Sequence, residues 1–262
     1  MHNMKEKLSI VKIGGNVIEN TRELEKFLTL FSELEGMKIL VHGGGKLATQ
    51  LASKLGIESK MVGGRRITDA ETLDIITMVY AGLTNKNIVA QLQSRGCNAI
   101  GLSGADGNSI RAHKRPVKDI DFGFVGDIDG VNTKIISKLL TSGLIPVFCA
   151  MSHDGQGQLL NTNADTIASE LAIGLGDTFA TTLYYCFEKP GVLLNVFDDT
   201  SVVKEIDTKK YKQLLTEGVI ADGMLPKLEN CFHALNNKVE TVCLGNMYML
   251  ESNNPFFTTL TL

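Results

Sequence analysis

What most constrains the fold of this chain is a regular alternation. Short apolar runs that end in glycine are followed by amphipathic stretches of helical period, from one end of the sequence to the other. Residues 8–13 (LSIVKI) run into Gly14-Gly15. Leu24, Phe27, Leu28, Phe31 and Leu34 then keep helical spacing up to Gly36. Residues 38–41 enter Gly43-Gly44-Gly45, and Leu47, Leu51 and Leu55 follow at helical spacing up to Gly56. Thr68-x-x-Glu71 reads as a capping box opening a long helix. Ile135, Ile136, Leu139 and Leu140 predict another, closed by Gly143, and residues 145–151 read as one buried strand. Asn163 is expected to cap a helix carrying Ile167, Leu171 and Leu175. Asp222 is expected to cap one carrying Leu228, Cys231, Phe232 and Leu235. This order predicts an α/β fold with a largely parallel sheet and helices on both faces. Ligands then bind at the carboxyl ends of the strands, where the glycine clusters fall. Residues 60–68 and 104–130 lack helical period and read as hairpins or loops over that site. A lobe boundary is expected at residues 174–177.

With 262 residues, 44% of them apolar, the chain can bury a sizeable core. The net charge of −3 comes from interspersed residues of both signs, without the basic stripe of a nucleic-acid binder. Residues 1–7 are polar and charged, unlike a signal peptide, and apolar runs such as 144–151 fall short of a membrane span. Of the five cysteines, Cys149, Cys186 and Cys243 sit in strand-like runs, and no C-x-x-C pair occurs. Buried, reduced thiols and a cytoplasmic location are expected, rather than zinc or disulfides.

Lys12 interrupts an apolar run just before two glycines. A lysine there needs an anionic partner, and the bare N–H groups of Gly14 and Gly15 suit phosphate. Three glycines at 43–45 exceed what a turn requires and favour close backbone approach to an anion at a helix start. Gly43-x-Gly45-x-x-Ala48 also fits a dinucleotide fingerprint. No acidic residue follows where a ribose would need one, and Gly45-Lys46-Leu47 fails the P-loop pattern. Arg65 and Arg66 lie among glycines. Arg65 reads first as a solvated residue, while an arginine beside flexible glycines can also grip a carboxylate. Asn161, Asn163 and Asp165 are more polar residues than capping needs. Lys227, in the first turn of a predicted helix, opposes the helix dipole unless an anion lies nearby.

Taken together, Lys12-Ile13-Gly14-Gly15, His42-Gly43-Gly44-Gly45, Gly64-Arg65-Arg66-Ile67-Thr68, Asn161-Thr162-Asn163-Ala164-Asp165 and Ala221-Asp222-Gly223-Met224-Leu225-Pro226-Lys227 resemble the N-acetylglutamate kinase family of arginine biosynthesis. The likeness runs over nearly the whole chain. The first two motifs are shared with aspartate, glutamate and carbamate kinases; the last two are narrower. The resemblance implies the amino-acid kinase fold, an open three-layer αβα sandwich with a mainly parallel central sheet and two lobes. Residues 1–176 would hold the acylglutamate and dimerise, and residues 177–262 would hold ATP. It implies that Lys12 and Lys227 neutralise the transferring phosphoryl group while Asp165 holds both. Gly14 and Gly15 would bind nucleotide phosphate. Gly44, Gly45, Arg66, Asn161 and Asn163 would bind the substrate. Mg²⁺ would ride on the ATP phosphates, with no protein metal ligand.

The resemblance departs at Phe187-Glu188-Lys189-Pro190-Gly191, where many members carry Thr/Ser-Asp; Glu188 stands in for that aspartate, and Gly191 belongs to the same nucleotide loop. Lys12 comes almost at the start, without the N-terminal extension of arginine-inhibited members, so a homodimer without arginine feedback is expected. The nearest alternative substrate is N-succinylglutamate, whose extra carboxylate Arg65 would meet. Other amino-acid kinases, a dinucleotide-dependent dehydrogenase and a non-catalytic metabolite sensor are further alternatives. A dehydrogenase leaves Lys12 and Lys227 unexplained, and the complete Lys12, Asp165, Lys227 set argues against a sensor.

Overall fold

The computed structural model describes residues 5–220, 224–251, 253–254 and 256–262. The cap expected at Asp222 lies outside them. An eight-stranded sheet forms the middle layer. It contains β1 (Lys7–Ile13), β2 (Met37–His42), β5 (Ala99–Leu102), β8 (Ile145–Cys149), β11 (Ala180–Cys186), β12 (Glu205–Ile206), β13 (Thr241–Gly245) and β14 (Thr258–Leu260). The spatial order is β12-β14-β13-β11-β1-β2-β8-β5. Every neighbouring pair is parallel except β13–β14. This is the α/β arrangement the alternation predicts. Strands from the first part of the chain (β1, β2, β8, β5) occupy one half of the sheet, and the later ones the other. The halves meet along β1 and β11, in register from Lys7↔Ala180 to Ile13↔Cys186.

Helices cover both faces. On one, α7 (Ala164–Leu175) packs on β1, β2 and β11 and against α6 (Thr133–Thr141) and α9 (Leu225–Asn236). Its Ile167, Ala168, Leu171, Ala172 and Leu175 are buried, one stripe at helical spacing. On the other face, α2 (Thr21–Glu33) buries Leu24, Phe27, Leu28 and Phe31, with the two phenylalanine rings stacked 5.9 Å apart. The five cysteines are free and buried. Among the described residues no helix is long and apolar enough to cross a membrane.

Two expectations need correction. The long helix of the first half, α4 (Ala70–Ile76), is capped by Asp69, whose side chain accepts from the Thr72 amide; the Thr68 hydroxyl instead contacts the Arg66 carbonyl. A capping box and a single aspartate cap are one residue apart in sequence, and the buried position of Thr68 decides between them. The run 145–151 is also two strands. It breaks at Ala150, so that β9 (Met151–His153) leaves the main sheet for a second one, ordered β10-β9-β6-β7. That second sheet also contains β6 (Ile110–Lys114), β7 (Gly126–Val131) and β10 (Leu159–Asn161). The small hairpin of β3 (Met61–Val62) and β4 (Arg65–Arg66) and the strands β6 and β7 lie in the segments expected to form hairpins or loops, whereas β9 and β10 lie outside them.

Candidate active site

The carboxyl ends of β1, β2 and β11 converge on one cleft. Lys12, next to last in β1, is flanked by Val41 of β2 and Tyr185 of β11. Its ammonium pairs with Asp165 at 2.8 Å, and the lysine side chain is only 17% exposed. Most of its hydration is therefore replaced by one carboxylate. Asp165 stands in the first turn of α7. The Asn163 side chain caps that helix, accepting from the Asp165 and Thr166 amides, and the Tyr185 hydroxyl donates to the Asp165 carbonyl at 3.1 Å. Lys227 reaches the same cavity from the first turn of α9. Its ammonium lies 5.0 Å from the centre of the Phe187 ring, a cation–π contact at the mouth of the cleft.

A larger cleft of about 780 Å³ opens beside this cavity, lined by Lys12, Gly14, Gly15, Gly45, Glu188 and Lys227 among others. The Cys186 thiol lies beside it too. Burial pushes its pKa up to about 12 despite the nearby Lys12 charge, so it stays a neutral thiol and no nucleophile. Across the cleft, α3 (Gly45–Lys54) begins without a side-chain cap, at Gly44. Its first amides face outward for an anion. The turn before it is fixed by His42, fully buried at the end of β2. His42 Nδ1 bonds the Gly43 carbonyl at 2.8 Å, and Nε2 accepts from Asn85 Nδ2 at 3.0 Å. Burial lowers the His42 pKa to about 4, so the ring is neutral and structural.

Arg66 sits on the far side of that turn, 8% exposed. Its Nη2 donates to the Gly45 carbonyl and to the Thr49 hydroxyl, each at 2.8 Å, whereas Nη1 is buried without a partner. The segment after Arg66 is stitched to Asn161 through main-chain bonds. Thr68 and Phe124 bond at 2.7 Å, Asn161 and Phe124 at 2.9 Å, and Asn161 Nδ2 donates to Thr68 Oγ1 at 3.0 Å.

A family model described as "Amino acid kinase family" matches residues 7–246. The chain belongs to the amino acid kinase family. Within it, acetylglutamate kinase of Phocaeicola vulgatus is 56% identical over 241 residues, covering 92% of this chain and 94% of that one. Acetylglutamate kinase of Bacteroides thetaiotaomicron is 55% identical over 250 residues, covering 95% and 97%. Among solved structures, N-acetylglutamate synthase from Neisseria gonorrhoeae has the same fold over 99% of this chain and 60% of that one, with a TM-score of 0.81 at 20% identity.

In this amino acid kinase, the residues singled out in the sequence fall into three places. Lys12, Asp165 and Lys227 meet at one cavity, with Gly14, Gly15, Gly45 and Glu188 on the adjoining cleft. Gly44, Arg66 and Asn161 gather around the start of α3 and the segment packed against it. Two others lie elsewhere. Arg65 is exposed on a separate groove with His113, Arg115 and Asp127. Gly191 is buried where a side chain would meet Thr258 and Val202. Asn163 spends its carbonyl oxygen on the cap of α7. Sequence reasoning missed Tyr80, Asn85 and Tyr185. Tyr80 packs directly over Gly44, and its only sequence signal is a polar-tipped aromatic in an otherwise apolar stretch.

Proposed function

We propose that this amino acid kinase transfers the γ-phosphoryl group of ATP to the side-chain carboxylate of N-acetyl-L-glutamate, giving N-acetylglutamyl 5-phosphate for arginine biosynthesis. One observation carries the reading. Two lysines 215 positions apart, Lys12 and Lys227, line one cavity together with Asp165, in a chain close in sequence to acetylglutamate kinases.

The chemistry suits this inventory. A glutamate side chain has a pKa of about 4.3, so the nucleophile is already ionised at neutral pH and needs no general base. The obstacle is repulsion between a carboxylate and a polyphosphate, which positive charge and fixed dipoles offset. Lys12 and Lys227 supply the charge. Asp165 orients Lys12 and moderates the repulsion between the two ammonium groups. The amides at Gly14, Gly15, Gly44 and Gly45 supply dipoles. Arg66 and Asn161 anchor the substrate's other end, with Asn163 shaping the α7 terminus beside it. Mg²⁺ would enter on the nucleotide phosphates.

The two halves of the sheet support the division into an acylglutamate lobe (1–176) and an ATP lobe (177–262), because the substrate-side residues come from the first and Phe187, Glu188 and Lys227 from the second. A homodimer fits the exposed Met78 and Leu83 on the π-helical segment Thr77–Thr84, which presents apolar surface. A cytoplasmic location fits the biosynthetic role.

A coupled assay with ATP and Mg²⁺ tests the reading, with N-acetylglutamate, N-succinylglutamate and free glutamate as acceptors. Phosphorylation of N-acetylglutamate well above free glutamate supports it; preference for the free amino acid refutes it. The same assay on Arg65→Leu checks the exposed arginine: an unchanged ratio of acetyl to succinyl rates removes Arg65 from acyl-group selection.

A further inference from the structure

Tyr80 is a large aromatic residue inside the π-helical segment and is 6% exposed. Its ring fills the space above Gly44 so closely that a Cβ there would stand 2.8 Å from the ring. The hydroxyl lies over the next residue: a Cβ on Gly45 would stand 3.6 Å from Tyr80 Oη and 3.9 Å from Arg66 Nη2. Hydroxyl and guanidinium thus flank the same glycine. Arg66 spends Nη2 on Gly45 and Thr49 but leaves Nη1 buried with no partner. A phenylalanine would pack over Gly44 equally well. A buried guanidinium nitrogen without an acceptor is costly unless something else bonds it, and the Tyr80 hydroxyl beside it can donate to that same acceptor.

We propose that Tyr80 is a substrate-binding residue: its hydroxyl and the free Nη1 of Arg66 form a two-donor clamp on the α-carboxylate of the acylglutamate. The inference rests on the reading of the cleft as an acylglutamate site and adds a residue to it. The reacting carboxylate belongs beside Lys12, so the carboxylate at Arg66 is the other one. One planar anion then accepts from a guanidinium and a phenol at once, and the buried Nη1 gains the partner it lacks. Burial raises the Tyr80 pKa, with the Arg66 charge drawing it partly back, so the phenol stays protonated and able to donate at neutral pH. The close contact with Gly44 ties the clamp to the turn that opens α3, so its position is set by the same backbone that faces the cleft.

The test is Tyr80→Phe in the full chain, which keeps the ring and its packing, with Arg66→Ala beside it. The clamp predicts that Tyr80→Phe raises KM for N-acetylglutamate roughly tenfold or more, the scale of one hydrogen bond to a charged group. It predicts that kcat, KM for ATP and the thermal midpoint stay near those of the parent, a split that a packing role alone does not produce. An unchanged KM for N-acetylglutamate in Tyr80→Phe, while Arg66→Ala weakens it, overturns the clamp and leaves the site reading standing. If Arg66→Ala is silent as well, the clamp falls together with the assignment of this end of the cleft.

Discussion

At the scale of single residues, the account turns on where charge is placed. Lys12→Ala and Lys227→Ala should each lower kcat by orders of magnitude, because each removes a cation proposed to act on the developing charge of the transition state. Their thermal midpoints should drop only slightly: Lys227 is exposed, and loss of Lys12 leaves an Asp165 that water reaches. Steady-state kinetics with a parallel melting curve checks both halves of that statement. His42 makes a different prediction. The unfolded chain takes up a proton near the ordinary histidine pKa of 6.5, whereas folded His42 resists protonation until about 4. Between those values the unfolded state binds more protons, so stability is intact above 6.5 and falls as pH drops through the window, by on the order of 3 kcal/mol in all. Urea unfolding of the parent and of His42→Gln from pH 7 to 4 should show a steeper loss in the parent; parallel slopes contradict it. Lys12 and Lys227 were legible in the sequence because each violates a local rule, one as a charge in an apolar strand and the other as a cation at a helix start. Tyr80 violates none and was not legible.

At the scale of elements, glycines and short bridges set the far wall of the site. Gly123 has φ of +71°, and a Cβ there would stand 2.1 Å from the Thr68 carbonyl oxygen. Thr68 and Gly123 form an isolated bridge that ties the Arg66 hairpin to the loop before β7. Gly123→Ala should therefore destabilise by about 2 kcal/mol or more and raise KM for the acylglutamate beyond that for ATP. Chemical denaturation and a two-substrate kinetic series measure the two effects; an unperturbed variant removes the bridge from the account. The main helices and strands were legible because their apolar stripes keep a period of 3.6 or form short continuous runs. Two features were not. The β10-β9-β6-β7 sheet is made of strands of three to six residues, too short for the brief alternation of Ile110, Arg111, Ala112 and His113 to stand out, and β7 is largely polar. The segment Thr77–Thr84 is π-helical, and its wider turn shifts every later side chain off the helical period, which hides how Tyr80 and Asn85 come to face Gly44 and His42.

At the scale of the molecule, one sheet unites two groups of strands, and the reacting groups come from both. Lys12 stands on the β1 side of the β1–β11 seam and Phe187 follows β11, while Asp165 belongs to α7, which packs over both strands, and Lys227 to α9. This is why a chain of motifs far apart in sequence reads as one site only after the strand order is known: alternation predicts a parallel sheet, but not that β11 lies beside β1. The resting contact of Lys227 with the Phe187 ring implies that phosphoryl transfer draws this ammonium from an aromatic face onto phosphate. The measurement that tests this most directly is a crystal structure with a non-hydrolysable ATP analogue, Mg²⁺ and N-acetylglutamate. The account predicts the Lys12 and Lys227 ammonium groups both at hydrogen-bonding distance from oxygens flanking the transfer path, with Asp165 still on Lys12. Lys227 left on Phe187 or turned to solvent in that closed complex contradicts it.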